Sequence, residues 1–176
     1  MSWGSPAGAA SLWTSCRPFV VGHRGVGGAG APPENTLASF AEARRQGAPA
    51  AELDVRLCAS GEVVVFHDAD LTRMTAGSDR RALAACSLAM LRGVRVGSTG
   101  EAIPLLADVL AYAREVGLAL NVELKHDGQP MLALAVAVAR CLRRQSRADV
   151  LLSSFHPGLL AAAAGLAPDV PRALLT

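Results

Sequence analysis

Four short runs of aliphatic and β-branched residues recur along the chain, and each carries chemistry on alternate positions. They are residues 19–24 (FVVGHR), 51–55 (AELDV), 63–68 (VVVFHD) and 120–125 (LNVELK). Segments of helical spacing lie between most of them. Strand and helix signals that alternate in this way specify an α/β fold with a parallel sheet. Along a strand, side chains point to the two faces in turn. Glu52 and Asp54 therefore share one face, opposite Leu53 and Val55, and Glu123 and Lys125 share another, opposite Val122 and Leu124. His23 and His67 each sit at the C-terminal end of an apolar run. Laid side by side and parallel, these strands bring two histidines, three carboxylates and a lysine to one rim. Such a set can hold a divalent cation and act on a phosphate ester.

The connecting segments are legible at the same level. A Gly-rich loop, 25–31, follows the first run, and a helix is expected over 35–46, with Leu37, Phe40, Ala41 and Arg44 at helical spacing and Gly47 after its end. The turn Ala59-Ser60-Gly61 leads directly into a third strand at 62–67. Residues 69–103 read as a loop-rich excursion with one short helix near 87–91. A helix over 104–116 starts on Pro104 and stops at Gly117. Strands at 118–125, 150–155 and 172–176 alternate with helices at 130–144 and 157–164. The lead-in, 1–18, reads as a poorly ordered tail.

Composition excludes several classes. At 176 residues, 51% hydrophobic and 18% charged, the chain has material for one core and is not a disordered sequence. A mixed net charge of +2 with one Tyr and four Phe offers no nucleic-acid platform. Arg140, Arg143, Arg144 and Arg147 fall at a helix C-terminus, where solvated cations are favoured. The four cysteines, Cys16, Cys58, Cys86 and Cys141, lack zinc-ligand spacing and read as small buried hydrophobes in a reducing, cytoplasmic setting. No stretch is long enough to span a membrane, and the N-terminus lacks a basic start for a secretory signal.

Each motif has a plainer reading beside the functional one. Gly25-Val26-Gly27-Gly28-Ala29-Gly30 fits G-x-G-x-x-G, but Pro32 and Pro33 separate it from the helix and His23-Arg24 precede it, so the glycines read as a loop over a pocket rather than a dinucleotide site. Glu52, Asp54 and Glu123 repel one another unless something cationic lies between them. Hard oxygen donors suit Mg²⁺ or Ca²⁺; the plain alternative is a solvent-facing strand, or pairing with Arg56 and Lys125. A lone histidine ending a strand is usually structural. Two of them flanking an acid pair are harder to dismiss, since histidine gives or takes a proton near neutrality. His126 and His156 read as loop residues. Arg24 and Lys125 supply positive charge for an anionic substrate, or merely balance the acids.

Taken in order, Gly22-His23-Arg24-Gly25, Pro33-Glu34-Asn35-Thr36, Glu52-Leu53-Asp54-Val55, Val64-Val65-Phe66-His67-Asp68, Asp70-Leu71-Thr72-Arg73-Met74-Thr75, Ile103-Pro104-Leu105, Glu123-Leu124-Lys125 and Ser153-Ser154-Phe155 resemble the glycerophosphodiester phosphodiesterase family over residues 19–176. The resemblance implies a TIM (β/α)8-type barrel with a small insertion after the third strand, here about 69–104. It implies that Glu52, Asp54 and Glu123 ligate one divalent cation, that His23 and His67 are the acid–base pair, and that Arg24 and Lys125 contact phosphate. It implies that Glu34 and Asn35 brace the site, with Glu34 approaching the metal. The reaction would be hydrolysis of a glycerophosphodiester to glycerol 3-phosphate and an alcohol.

The chain departs from the family pattern in a longer loop before Pro33, in Cys58 and Ser60 where Thr and Asp are usual, and in length. Eight staves need about 250 residues; the sequence shows about six strands of the eight. The expectation is an incomplete barrel with open edges, through which the chain self-associates or meets a partner. The competing reading is a non-catalytic partial barrel that binds phosphate esters or a partner chain.

Overall fold

The computed structural model describes residues 11–14, 17–28, 30–127, 130–145 and 148–176. Most of the lead-in, together with Cys16, Ala29 and Arg147, lies outside the described residues. The part of the lead-in that is described is tied down. Leu12–Thr14 forms a 3-10 turn whose Ser11 hydroxyl and Leu12 N–H donate to the Asp149 carboxylate at 2.6 and 2.7 Å.

A six-stranded sheet carries the fold. Its path is β1 (Val21–Gly22), β2 (Ala50–Leu57), β6 (Ala119–Leu124), β7 (Val150–Ser154) and β8 (Arg172–Leu174), every neighbouring pair parallel, while β3 (Val63–Val65) pairs with β2 off this path. The helices α1 (Leu37–Arg45), α3 (Leu106–Val116), α4 (Met131–Arg144) and α5 (Pro157–Leu166) make the crossovers. This is an incomplete α/β barrel.

One expectation is corrected. The third strand is antiparallel, with Val55 opposite Val65 and Leu57 opposite Val63. The physical reason is the connection. Gly61, at φ +89°, closes a tight turn in which its N–H donates to Cys58 O at 2.9 Å, and so short a link joins only antiparallel strands. The main sheet thus has the six strands expected, five of them parallel staves and the sixth a hairpin arm. Because Val55 pairs with Leu124 of β6 and with Val65 of β3, β3 occupies the same edge of β2 as β1. The first strand arrives there from below and the third returns from above. His23 follows one and His67 the other, so both approach β2 beside its acids from opposite directions.

Alternation sorts the residues as expected. Leu53, Val55, Leu120, Val122, Leu124 and Leu152 pack beneath Leu106, Leu110, Leu134, Val138 and Leu159 of the helices. Each such buried side chain contributes about 1.5–3 kcal/mol. Glu52, Asp54, Arg56, Glu123 and Lys125 fall on the opposite, axial face. The excursion after β3 has its own small core of Phe66, Leu71, Leu83, Cys86, Leu91 and Val94. It holds a 3-10 turn (Leu83–Ala85), α2 (Leu88–Leu91) and a hairpin of β4 (Arg95–Val96) and β5 (Glu101–Ala102). Val64 and Phe66 join this core while Val63 and Val65 join the main one, so β3 rivets the insertion to the barrel.

Helix α1 begins two residues later than its spacing suggests. Thr36 caps it, accepting from Ser39 N–H at 3.2 Å, and Asn35 stands at φ +59°, outside any helix. Cys58 and Cys86 are buried and Cys141 partly so, all as free thiols. Among the described residues no helix is long and apolar enough to cross a membrane.

Candidate active site

Strand pairing alone places three acids together. On β2 and β6, Glu52 is opposite Asn121 and Asp54 opposite Glu123. Glu52, Asp54 and Glu123 are 7%, 1% and 8% exposed, and one carboxylate oxygen from each lies within 4.8 Å of the others. Three buried carboxylates this close are unfavourable unless cations compensate them.

The cations present are Arg24 and Lys125. Lys125 Nζ lies 2.6 Å from Glu123 Oε1 and 3.1 Å from Asp54 Oδ1; Arg24 Nε lies 3.3 Å from Asp54 Oδ2. Burial works against the charge of Lys125, but the two carboxylates outweigh it and hold its pKa above the usual value. The Arg24 backbone N–H donates to Glu52 Oε2 at 2.9 Å. That bond needs the chain to turn sharply after β1, and Arg24 does so at φ +54°, a strained left-handed conformation for a non-glycine residue. Asn35, also left-handed, accepts from the Asp54 backbone N–H through Oδ1 at 3.1 Å and donates through Nδ2 to Asp54 Oδ2 at 2.9 Å, holding that residue by its backbone and by one carboxylate oxygen.

Compensation is incomplete. Glu52 Oε1 is buried and has no hydrogen-bond partner among the described residues. Burial, then the charge of Asp54, pushes the Glu52 carboxyl up to about 8. Asn121 Oδ1 and Ser153 Oγ are likewise buried and unpartnered, and Ser153 stands directly opposite Glu123 in the register. Three buried carboxylates this close, with a Glu52 oxygen left unpartnered, are what a hard divalent cation needs, so the residues fit such an ion.

Around this core the histidines differ. His23 is largely exposed, its Nε2 3.8 Å from Glu52 Oε2. His67 is better buried, and its Nδ1 is 2.7 Å from Asp68 Oδ1. Asp68 in turn accepts from Arg73 Nε at 2.7 Å, and Arg73 Nη2 donates to Glu34 Oε1 at 2.6 Å. Glu34 Oε1 also accepts from Arg24 Nη1 at 3.0 Å. Burial opposes ionisation of both Glu34 and Asp68, but these arginine and histidine contacts win and hold both carboxyls below their usual values. Glu34 thus joins the two arginines and is not among the three clustered acids.

All nine residues singled out in the sequence therefore lie in one connected neighbourhood. Asp68 and Arg73 were missed as participants although both sit inside the motif text; the signal was His-Asp adjacency and an arginine five residues on. Asn121 and Ser153 gave no signal beyond their inward phase on the strands. Arg56 does not pair with the carboxylates, contrary to the plainer reading. His126 and His156, read as loop residues, stack with ring centroids 4.4 Å apart. Of the Gly-rich loop, Gly27, Gly28 and Gly30 have open space around them, whereas Gly25 packs directly against Ser39.

Comparison with known proteins places the fold and the family. A glycerophosphodiester phosphodiesterase of Bacillus altitudinis is 33% identical over 166 residues, which span 89% of this chain and 66% of that protein. The crystal structure of an Oleispira antarctica phosphodiesterase in complex with its product sn-glycerol-3-phosphate superposes with a TM-score of 0.80 at 35% identity, over 88% of this chain and 64% of that one. A glycerophosphodiester phosphodiesterase from Agrobacterium tumefaciens gives 0.75 at 27% identity, over 89% and 66%. The chain thus spans just under two thirds of the length of these relatives. The family model for the glycerophosphoryl diester phosphodiesterase family matches residues 23–176, and the chain belongs to that family.

Proposed function

We propose that the site hydrolyses a glycerophosphodiester to glycerol 3-phosphate and an alcohol, with Glu52, Asp54 and Glu123 holding one divalent cation, Mg²⁺ or Ca²⁺. The observation that carries this reading is the buried carboxylate cluster with its unpartnered Glu52 oxygen. The glycerol 3-phosphate found in the Oleispira relative supports the substrate class. A cation held there supplies Lewis-acid charge to a phosphate oxygen.

The chain's own groups do the rest. With all three acids ionised as ligands, their charge against Arg24 and Lys125 is one negative, so a dication held there would leave the site positive and able to accept a phosphodiester anion. Arg24 and Lys125 present donors at the same rim. Asp68, against His67 Nδ1, favours the tautomer with hydrogen there and leaves Nε2 to exchange a proton with substrate. His23, open to solvent beside Glu52, is the second proton carrier. One histidine takes the proton of the attacking hydroxyl, from water or from the substrate's glycerol, and the other delivers a proton to the departing alkoxide.

Phosphorus NMR of glycerophosphocholine incubated with the protein tests this. Glycerol 3-phosphate, or a cyclic phosphate from internal attack, is expected with Mg²⁺ or Ca²⁺ and is lost with chelator. Product formation that ignores chelator sinks the ion's role. A second reading, in which a partner or second copy docks on the open edge, draws on the exposed Val20 beside β1 and the exposed Leu174 on β8. Light scattering after size exclusion decides it, since a monomer at all concentrations counts against it. Buried free thiols at Cys58 and Cys86 fit a reducing compartment, and we place the chain in the cytoplasm.

A further inference from the structure

Arg56 lies one inward step beyond Asp54 on β2 and is 2% exposed. A guanidinium so placed is expected to pair with the carboxylates beside it. Its hydrogen bonds instead run past them to two separate loops. Nε donates to the His67 carbonyl at 2.8 Å, and Nη2 donates to Asp127 Oδ2 at 2.6 Å. Asp127 follows Lys125 by two residues, and the Arg56 contact holds its carboxyl below the usual range even though most of it is in water. We propose that Arg56 is a positioning residue, a buried latch that joins the His67 backbone to the segment after Lys125 and so fixes where the His67 imidazole stands. The proposal rests on the reading of His67 as a proton carrier.

The local geometry shows why a latch is needed. The β2–β3 ladder ends at Val65, and the last rung beyond it is Phe66 N–H to Asp54 O at 2.9 Å. His67 is therefore past the end of the sheet. Asp68 and Arg73 orient its ring, but both belong to the same outgoing segment, so they set the ring's angle and leave its height above the acids open. The bond from Arg56 to the His67 carbonyl closes that freedom from β2, the strand that carries Glu52 and Asp54. Lysine cannot substitute. A planar guanidinium serves two acceptors from fixed positions at once, whereas an ammonium on a flexible stem cannot span both. A shift of about 1 Å in a reacting group costs on the order of 100-fold in rate.

The test compares the wild-type chain with R56K and D127N. The first measurement is the rate at which diethyl pyrocarbonate labels His67 relative to His23 in the same molecule, read by peptide mass spectrometry; it needs neither ion nor turnover. R56K should raise the His67 to His23 ratio on the order of tenfold, the effect of losing one buried hydrogen bond that restrains a local opening. D127N, which alters only the exposed end of the latch, should raise it less. The second measurement is glycerophosphocholine hydrolysis, where R56K should lower kcat roughly 10- to 100-fold with KM within about twofold, and with Mg²⁺ affinity unchanged by calorimetry. An unchanged labelling ratio in R56K overturns the latch, and so does a raised ratio with wild-type kcat. Wild-type turnover in H67N instead overturns the role of His67 on which the proposal rests, a result that R56K alone cannot produce.

Discussion

Binding a divalent cation at pH 7 should expel close to one proton from this protein. Glu52 is the source. With no ion, burial and the neighbouring Asp54 charge push its carboxyl up to about 8, and its Oε1 has no donor to compensate it. A group titrating at about 8 is about 0.9 protonated at pH 7 and about 0.1 protonated at pH 9. A ligating carboxylate must be ionised, so the ion displaces that fraction. Titration calorimetry with Mg²⁺ in buffers of different ionisation enthalpy reads the number directly as the slope of apparent enthalpy against buffer enthalpy. The expected slope is about 0.9 at pH 7, falling to about 0.1 at pH 9, with affinity rising about tenfold per pH unit below pH 8. E52Q should abolish the linkage and weaken binding. A slope of zero at pH 7 in the wild-type chain would mean that Glu52 is already ionised or is not a ligand, and the electrostatic reasoning fails.

Further outcomes follow from the same contacts. The folded Glu52 carboxyl titrates near 8 and the unfolded one near 4.5, so between those values the folded state holds the extra proton. Stability of the ion-free protein should therefore fall as pH rises through that window, by at most about 1.4 kcal/mol per pH unit, as urea melts at several pH values will show. Mg²⁺ at 100 times its Kd should add about 2.7 kcal/mol in the same melts, and chelator should remove it. R73M breaks the bridge between Glu34 and Asp68; being half-exposed, it should cost under about 1 kcal/mol of stability yet lower kcat roughly tenfold, while ion affinity holds. G25A should cost more than about 2 kcal/mol in denaturant, because Gly25 sits at φ +95° with an added Cβ 2.2 Å from Ser39 Oγ.

The parts legible in sequence were those governed by local periodicity. The inward phase of Glu52, Asp54, Glu123 and Lys125 follows from the two-residue repeat of a strand, and the register then makes Asp54 and Glu123 neighbours. The direction of the third strand was also written in the short turn at residues 59–61, but the expectation of a uniformly parallel sheet masked it. What could not be read is what long side chains do. Arg56, Arg73 and Arg24 each face several acceptors within reach, and the winner depends on tertiary distances that alternation does not encode. The left-handed backbones of Arg24 and Asn35 are of the same kind, since strain at those positions is sustained by bonds to Glu52 and Asp54 of β2. The fastening of Leu12–Thr14 to Asp149 was hidden for the same reason.

Crystals grown with Mn²⁺ and measured at its absorption edge locate a bound ion without reference to activity. One anomalous peak is expected within about 2.0–2.6 Å of oxygens from Glu52, Asp54 and Glu123 together. A peak elsewhere, or none at saturating Mn²⁺, would contradict the assignment of these three carboxylates to a single cation.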